Sequence, residues 1–547
     1  MGTSTDLTFG AAQLPPAVAQ AAQQILDRIE NDEVDEDLIH QLASLGPLRE
    51  KALIDHRATG AVFTPYPIAQ ELVDLLDVGA GEIVCDPSAG SGVFLLAAAE
   101  RKFQRGESVT SISKTLRGID IDPVSIEVSR LTLKLWAASK GGQWPSTDHL
   151  VVGDGLLDVP EKWLGTCDVV IGNPPFLGQL KSETSRNRGR AQALKQRFGS
   201  LYTAYVDESM LFFLLAVELS GEDGRVTLIA PSSTLGSDSS QLAREWIDSR
   251  LTLSGIWIGG RSVFESAAVD VVAPILRNDK RDECLIVRYE TQDVLAVQRP
   301  LPGCWSSLLA RANGVPAIAI TATRRLGDRA VVTADFRDAY YWLAERVVEA
   351  TRNDHRPKLV TVGLVDPFSY RYGDIPTRFA KQRFQRPVLD IEDNPPTQLG
   401  AWLEQRLIPK LLVATQTRIV ECYADIEGKL LPSTPLVSII PEQESELWHL
   451  MAAVSSPPAA AWLASAAAGT GLSQGTMRLR ASLIADLPLP EPSKTWDVGA
   501  ELAREIQEKG VNDEAARRFG EAMNQAYGLP SSELLHWWIS QIPKKRP

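Results

Sequence analysis

The run Ile83-Val-Cys-Asp-Pro-Ser-Ala-Gly-Ser-Gly-Val-Phe94 decides the fold. Its apolar start reads as a short strand. The small residues Ser88, Ala89, Gly90, Ser91 and Gly92 then let the backbone turn and pass close to a ligand. The apolar spacing over Val93–Lys102 is that of a helix. Strand, small-residue turn and helix in this order suit a cofactor loop. A glycine turn after a strand also serves packing alone, so the surrounding pattern has to decide. No Gly-Lys-Ser/Thr sequence is present, which disfavours a nucleotide-triphosphate P-loop.

Around this run, β-rich segments alternate with helical ones. The strand candidates are Glu82–Asp86, Leu116–Asp120, His149–Val152, Asp168–Gly172, Arg225–Ala230 and Ser254–Ile258. Helical stretches include Ile68–Leu76, Val93–Lys102, Pro123–Trp136 and Val206–Leu219. Such alternation predicts an α/β, doubly wound, mainly parallel sheet, with its ligand at the carboxyl ends of the strands near the switch in strand order. Residues 15–55 read as helical, from Val18, Ala22, Ile25 and Ile29, then Leu38, Leu42, Leu45 and Leu48. After about residue 300 the alternation fades into an α+β pattern. The expected division is an N-terminal helical segment 1–56, a catalytic domain 57–295 and a C-terminal domain 296–547.

The chain has 547 residues, 44% hydrophobic and 23% charged, the mix of a globular protein with two or three domains. No apolar stretch reaches the roughly 20 residues of a membrane span, and the N-terminus lacks a secretion-signal pattern. Cys85, Cys167, Cys284, Cys304 and Cys422 lie far apart, which argues against a disulfide framework or a zinc knuckle. A reducing, cytoplasmic setting without a metal is the expectation. The net charge of −13 opposes general nucleic-acid binding, but the charge is uneven. Asp27–Asp37 is acidic, whereas Lys181–Arg197 and Arg371–Arg386 are basic. Each basic run is either a solvated loop or a docking face for a polyanion.

Three further signals follow the glycine turn. In Gly118-Ile-Asp-Ile-Asp-Pro123, Asp120 ends a strand and can accept both hydroxyls of a ribose, while Asp122 before Pro123 reads as a helix N-cap. In Gly153-Asp-Gly155, Asp154 is either a plain turn residue or an acceptor for an adenine amino group. Finally, the strand Asp168-Val-Val-Ile-Gly stops at Asn173-Pro-Pro-Phe176. Two prolines fix the backbone and donate no hydrogen bonds, so their carbonyls can serve as acceptors. With the Asn173 carboxamide and the Phe176 ring, this set suits an exocyclic amine on a flat ring. A proline-rich turn with Phe176 in the core is the other reading.

Taken in this order, the four signals resemble the class I S-adenosylmethionine-dependent methyltransferases, whose fold is Rossmann-like. More narrowly, they resemble the DNA adenine-N6 methyltransferases of restriction–modification and phage-defence systems. Thr59-Gly-Ala-Val-Phe-Thr-Pro65 resembles the family's first cofactor motif, and the motif order resembles the gamma arrangement. Gly224-Arg-Val-Thr-Leu-Ile-Ala-Pro231 resembles a later strand, and Leu483-Ile-Ala-Asp-Leu-Pro-Leu-Pro490 the end of a target-recognition region. The resemblance covers about residues 57–275 and, by arrangement, the C-terminal half.

The resemblance implies that Thr64, Asp86, Ala89, Gly90 and Gly92 line the methionine end of S-adenosylmethionine, with Pro65, Pro87 and Phe94 also in the cofactor site. It implies Asp120 on the ribose, Ile121 beside the adenine ring, Asp154 at its amino group and Phe212 packed near it, with Gly155 also in the cofactor site. Asn173, Pro174, Pro175 and Phe176 would form the target-base site, with Asn173 also bordering the cofactor. Two departures stand out: Leu201-Tyr-Thr-Ala-Tyr205 replaces an Asp/Asn-Leu-Tyr element, and Asp120 stands where glutamate is frequent. Double-stranded DNA is the implied partner, together with other subunits of a defence system. Lys181, Arg186, Arg188, Arg190, Lys195 and Arg197 are the expected phosphate contacts, along with Arg378, Lys381 and Arg383. Cytosine C5 methylation needs a nucleophilic cysteine, and no Pro-Cys pair exists. Cytosine N4 methylation, a glutamine or RNA methyltransferase, and a modification subunit active only with partners remain as alternatives.

Overall fold

The computed structural model describes residues 14–51, 63–145, 149–176, 185–203, 205–260, 263, 270–334, 337–391, 397–471 and 475–543. Two compact units divide the chain, Met1–Trp305 and Ser306–Pro547.

The first unit is built on one ten-stranded sheet. Its strands are β1 (Val84–Asp86), β2 (Leu116–Asp120), β3 (His149–Val152), β4 (Cys167–Gly172), β5 (Ser220–Leu228), β6 (Ala230–Pro231), β7 (Thr252–Gly260), β8 (Val271–Arg277), β9 (Glu283–Arg288) and β10 (Val294–Gln298). The spatial order is β10-β9-β7-β8-β5-β4-β1-β2-β3, with β6 paired to β8. The pairs β3/β2, β2/β1, β1/β4 and β4/β5 are all parallel. Buried strands such as β1 and most of β4 are near-continuous apolar runs because helices cover both faces. Strand order reverses between β1 and β4, so their carboxyl ends form the switch-point crevice. The fold is therefore the doubly wound, Rossmann-like sheet that the alternation implied.

The far edge adds what the sequence pattern did not announce. Strand β8 lies antiparallel between β5 and β7, and the hairpin β9–β10 closes that side. Pro274 inside β8 argues against an interior strand, because proline donates no ladder hydrogen bond. Its carbonyl still accepts from Thr227 Oγ1 at 2.9 Å.

Local chemistry sets the helix starts that aim at the crevice. Helix Val93–Gln104 begins at Gly92, whose φ of 83° is left-handed. A Cβ there would lie 2.2 Å from Ser129 Oγ, so glycine is required twice over. Helix Pro123–Ser139 begins with proline and is capped by Asp122, which accepts from the Ser125 amide at 2.6 Å. Arg49, in the second N-terminal helix Asp37–Lys51, pairs with that same Asp122. The N-terminal helices Pro16–Glu30 and Asp37–Lys51 thus join the first unit's core, sharing it through Val18, Leu42 and Leu45.

The second unit holds two four-stranded sheets. One runs Ala330–Ala334, Val437–Pro441, Lys410–Val413, Cys422–Asp425, and helices such as Leu447–Ser455, Lys494–Lys509 and Asp513–Ala526 share its core. The other runs Val347–Glu349, Pro387–Leu389, Lys358–Val360, Leu430–Pro432 and has a separate small core. Among the described residues, no single helix is long and apolar enough to cross a membrane. Among them, too, no His/Cys/Asp/Glu group could hold a metal ion.

Candidate active site

The glycine turn rises from the end of β1. Asp86 is buried, at 1% exposure, and its Oδ1 accepts from the Ser88 amide at 2.9 Å and the Ser88 hydroxyl at 3.3 Å. Burial pushes its carboxyl up to about 7, and the charge of nearby Asp120 adds to the rise. Among the described residues, no cation stands beside it to oppose this shift. Gly90 has φ +51° and nothing closer than 4.0 Å where a side chain would project, so its backbone faces open space. Pro87 turns its carbonyl toward Gly155, where a Cβ would lie 2.1 Å from that oxygen. Phe94 belongs to the core beneath the turn, and Ala89 is also buried.

Asp120 ends β2 beside the turn. Its Oδ2 accepts from the Gly90 amide at 2.8 Å and its Oδ1 from the Asp122 amide at 2.9 Å. Burial raises its pKa against the lowering effect of these two hydrogen bonds. The amides fix the carboxylate and still leave it acceptor capacity, since two oxygens offer about four lone-pair sites. Next to it Ile121 is 68% exposed, a large apolar side chain held open at the strand end. At the β3 end, the Gly153 amide donates to the Asp120 carbonyl at 2.9 Å. Phe212 in helix Glu208–Leu219 packs against Gly155, its Cε1 being 3.0 Å from a Cβ placed there.

The target-side motif meets the same corner. A Cβ on Gly172 would lie 2.5 Å from Asp86 Oδ1, so glycine at the end of β4 lets the buried carboxylate abut this strand. Asn173 follows directly, and its Nδ2 donates to Thr64 Oγ1 at 3.0 Å. That bond joins the Thr-Pro element to the Asn-Pro-Pro-Phe element across 109 residues and fixes which way the carboxamide points. Pro65 starts helix Tyr66–Leu75 just beyond Thr64. Pro174 is buried, Pro175 is half-buried, and Phe176 is a half-buried ring packed against the core's edge. Residues 59–62 of the first motif lie outside the described residues.

The basic run after Phe176 behaves differently from a uniform phosphate-binding face. Helix Ser185–Phe198 turns Arg190 inward. Its Nε donates to Asp154 Oδ2 at 2.6 Å, and its Nη1 and Nη2 grip Glu208 at 3.0 and 2.6 Å. Its charge is thus answered by two carboxylates, which speaks against the expected phosphate contact. Arg197 likewise pairs with Glu218 at 2.8 Å. Arg188 and Lys195 are exposed, Lys181 lies outside the described residues, and Arg186 sits in the helix. In the second unit Arg378, Lys381 and Arg383 are all exposed.

Sequence reasoning missed Arg190's inward role, its partner Glu208, and Gly172. A glycine before Asn-Pro-Pro was readable, but nothing in the spacing links Arg190 to Asp154. The arrangement suits a ligand with three chemical parts. A buried carboxylate with no cation beside it among the described residues suits an ammonium. A fixed, half-satisfied carboxylate suits a diol. An exposed isoleucine and a phenyl ring suit a flat heterocycle. The methionine, ribose and adenine of S-adenosylmethionine match these parts, so the residues fit the cofactor that the motifs imply.

Residues 47–300 match the family model described as N-6 DNA Methylase, so the resemblance carried by the four motifs holds over this region. The chain is 29% identical over 147 residues to the type I restriction enzyme MjaIX methylase subunit of Methanocaldococcus jannaschii, covering 27% of this chain and 24% of that protein. It is 23% identical over 217 residues to the type I restriction enzyme EcoEI methylase subunit of Escherichia coli, covering 39% of this chain and 41% of that one. The matches thus span less than half of these relatives' length. In fold, the chain is similar to the type IIL restriction–modification enzyme MmeI, solved in complex with DNA. The TM-score is 0.57 at 15% identity, covering 95% of this chain and 77% of the other.

Proposed function

We propose that the chain transfers a methyl group from S-adenosylmethionine to the N6 amine of a flipped-out adenine in duplex DNA, in restriction–modification or phage defence. One observation carries this reading. Asn173, held by Thr64, emerges from the β4 end that abuts the Asp86 carboxylate, so the residues we assign to the target base and to the cofactor lie at one switch point. We assign base capture to Asn173–Phe176, the cofactor to the ends of β1, β2 and β3, and target recognition to the second unit.

The bound cofactor supplies an electrophilic methyl group. The chain's own residues supply the rest. An adenine N6 lone pair is delocalised into the ring and attacks poorly. The Asn173 oxygen and the Pro174 carbonyl accept its hydrogens, which returns density to nitrogen and favours a tetrahedral centre. No strong base is required before attack, because the proton can leave afterwards. Positioning the nitrogen in line with sulfur contributes much of the acceleration. A base cannot react within the stack, so it is extruded. Phe176 stacks on it, a contact worth roughly 1–3 kcal/mol in comparable sites.

The test is incubation of the purified chain with methyl-labelled S-adenosylmethionine and, separately, duplex DNA, RNA and protein, followed by nucleoside analysis. Label recovered as N6-methyladenine from duplex DNA is expected. Label in cytosine N4, in RNA or in glutamine overturns the assignment. A second reading, a modification subunit that needs partners, draws on the relatives being named methylase subunits. It predicts cofactor binding without transfer until a partner is added.

A further inference from the structure

The second unit carries a short hairpin whose charges are arranged against its own stability. Strands Thr377–Phe379 and Gln382–Phe384 pair antiparallel with Thr377 opposite Phe384, Arg378 opposite Arg383 and Phe379 opposite Gln382. Like charges set directly across a ladder repel. The two turn residues, Ala380 at φ 47° and Lys381 at φ 66°, both adopt left-handed backbone that favours asparagine or glycine. Beneath, Phe379 and Phe384 anchor the hairpin in a core with Leu359, Leu389 and Leu431. On the opposite face Arg378 and Arg383 are exposed, and Lys381 is exposed at the turn. Among the described residues, none of the three cations has a carboxylate partner, although Arg371 nearby pairs with Asp366.

Burial by the two phenyl rings holds the ribbon in place, but no carboxylate among the described residues pairs with the exposed charge. A major groove admits a two-stranded ribbon, and an arginine fork matches the O6 and N7 of guanine. Single-stranded nucleic acid would instead call for exposed aromatic rings, and here both phenylalanines point inward. We propose that this hairpin enters the major groove of duplex DNA, with Arg378 and Arg383 reading guanine edges and Lys381 contacting phosphate at the tip. The proposal rests on the DNA reading above. It goes further by making these arginines determinants of sequence rather than general phosphate contacts.

The experiment is a binding selection from a random duplex library with the full chain, compared with R378Q, R383Q and K381Q. The wild-type chain is expected to enrich a motif containing guanines. Each arginine variant should lose guanine at one position, and its preference for the motif over an unrelated duplex should fall about tenfold or more. K381Q should weaken both duplexes alike and lower the salt dependence. Thermal melting separates folding from recognition, since removing one of two opposed charges should leave the melting temperature equal or higher. An unchanged motif and preference in the arginine variants, equal weakening on every duplex, or a wild-type chain that enriches no motif would each overturn the proposal. The same preparations are assayed for methyl transfer. Motif selection without transfer defeats the proposed activity and leaves the hairpin standing. Transfer at a motif that R378Q does not alter defeats the hairpin alone.

Discussion

Asp86→Asn should make the protein more stable at pH 8 while weakening its hold on the cofactor. The wild-type carboxyl is buried with no cation beside it among the described residues, and it sits at about 7 instead of near 4. At low pH it is protonated in both folded and unfolded chains and costs nothing. As pH rises from about 4 to 7, the unfolded chain releases this proton and the folded chain does not, so stability falls across that window. Above 7 the cost is complete. A gap of about three, at roughly 1.4 kcal/mol per tenfold, gives about 4 kcal/mol as an upper bound. Asparagine removes the ionisation and keeps an oxygen for the Ser88 amide. At roughly 2–4 °C per kcal/mol for a unit of this size, the variant should melt several degrees higher at pH 8 and the gap should close toward pH 4. S-adenosylhomocysteine, which carries the same ammonium, should raise the melting temperature of the wild type more than that of the variant. Differential scanning fluorimetry from pH 4 to 8, with and without that ligand, reads both effects. A variant that melts lower at pH 8, or gains as much from ligand as the wild type, refutes the reasoning.

Three other substitutions separate the parts of the site. Asn173→Ala should leave cofactor affinity intact by titration calorimetry while methyl transfer falls by roughly 100-fold or more; unchanged turnover rules out its role. Arg190→Leu strands two carboxylates with only 11% and 13% side-chain exposure. Breaking a buried pair costs about 3–5 kcal/mol, and partial exposure of Arg190 reduces this to about 2 kcal/mol, measurable by urea unfolding. Full stability with weaker DNA binding would return Arg190 to the phosphate contacts. Gly155→Ala places a methyl 2.1 Å from the Pro87 carbonyl. It should displace the glycine turn, cost about 1–3 kcal/mol and weaken cofactor binding; wild-type binding would show that the turn yields freely.

Much of the first unit was legible because its signals are local. β2 and β3 match the expected Leu116–Asp120 and His149–Val152, and Asp122 caps its helix as Pro123 suggested. A glycine turn, an N-cap and a strand ended by prolines are decided within a few residues, so order along the chain conveys them. The antiparallel edge was not legible, since Pro274 disguises an interior strand. In the second unit the pairing partners are distant in sequence: Lys358–Val360 pairs with Leu430–Pro432.

The sequence by itself determined the doubly wound sheet and the residue types at its switch point, because strand–turn–helix alternation leaves few topologies. Tertiary structure alone decided which charges remain available. Arg190 and Arg378 look alike in a list of basic residues. One is drawn into a pair of carboxylates from Asp154 and Glu208, and the other is held opposite Arg383 on a ribbon facing solvent. Charge is counted along the chain, but the partner that answers it comes from wherever folding brings a carboxylate.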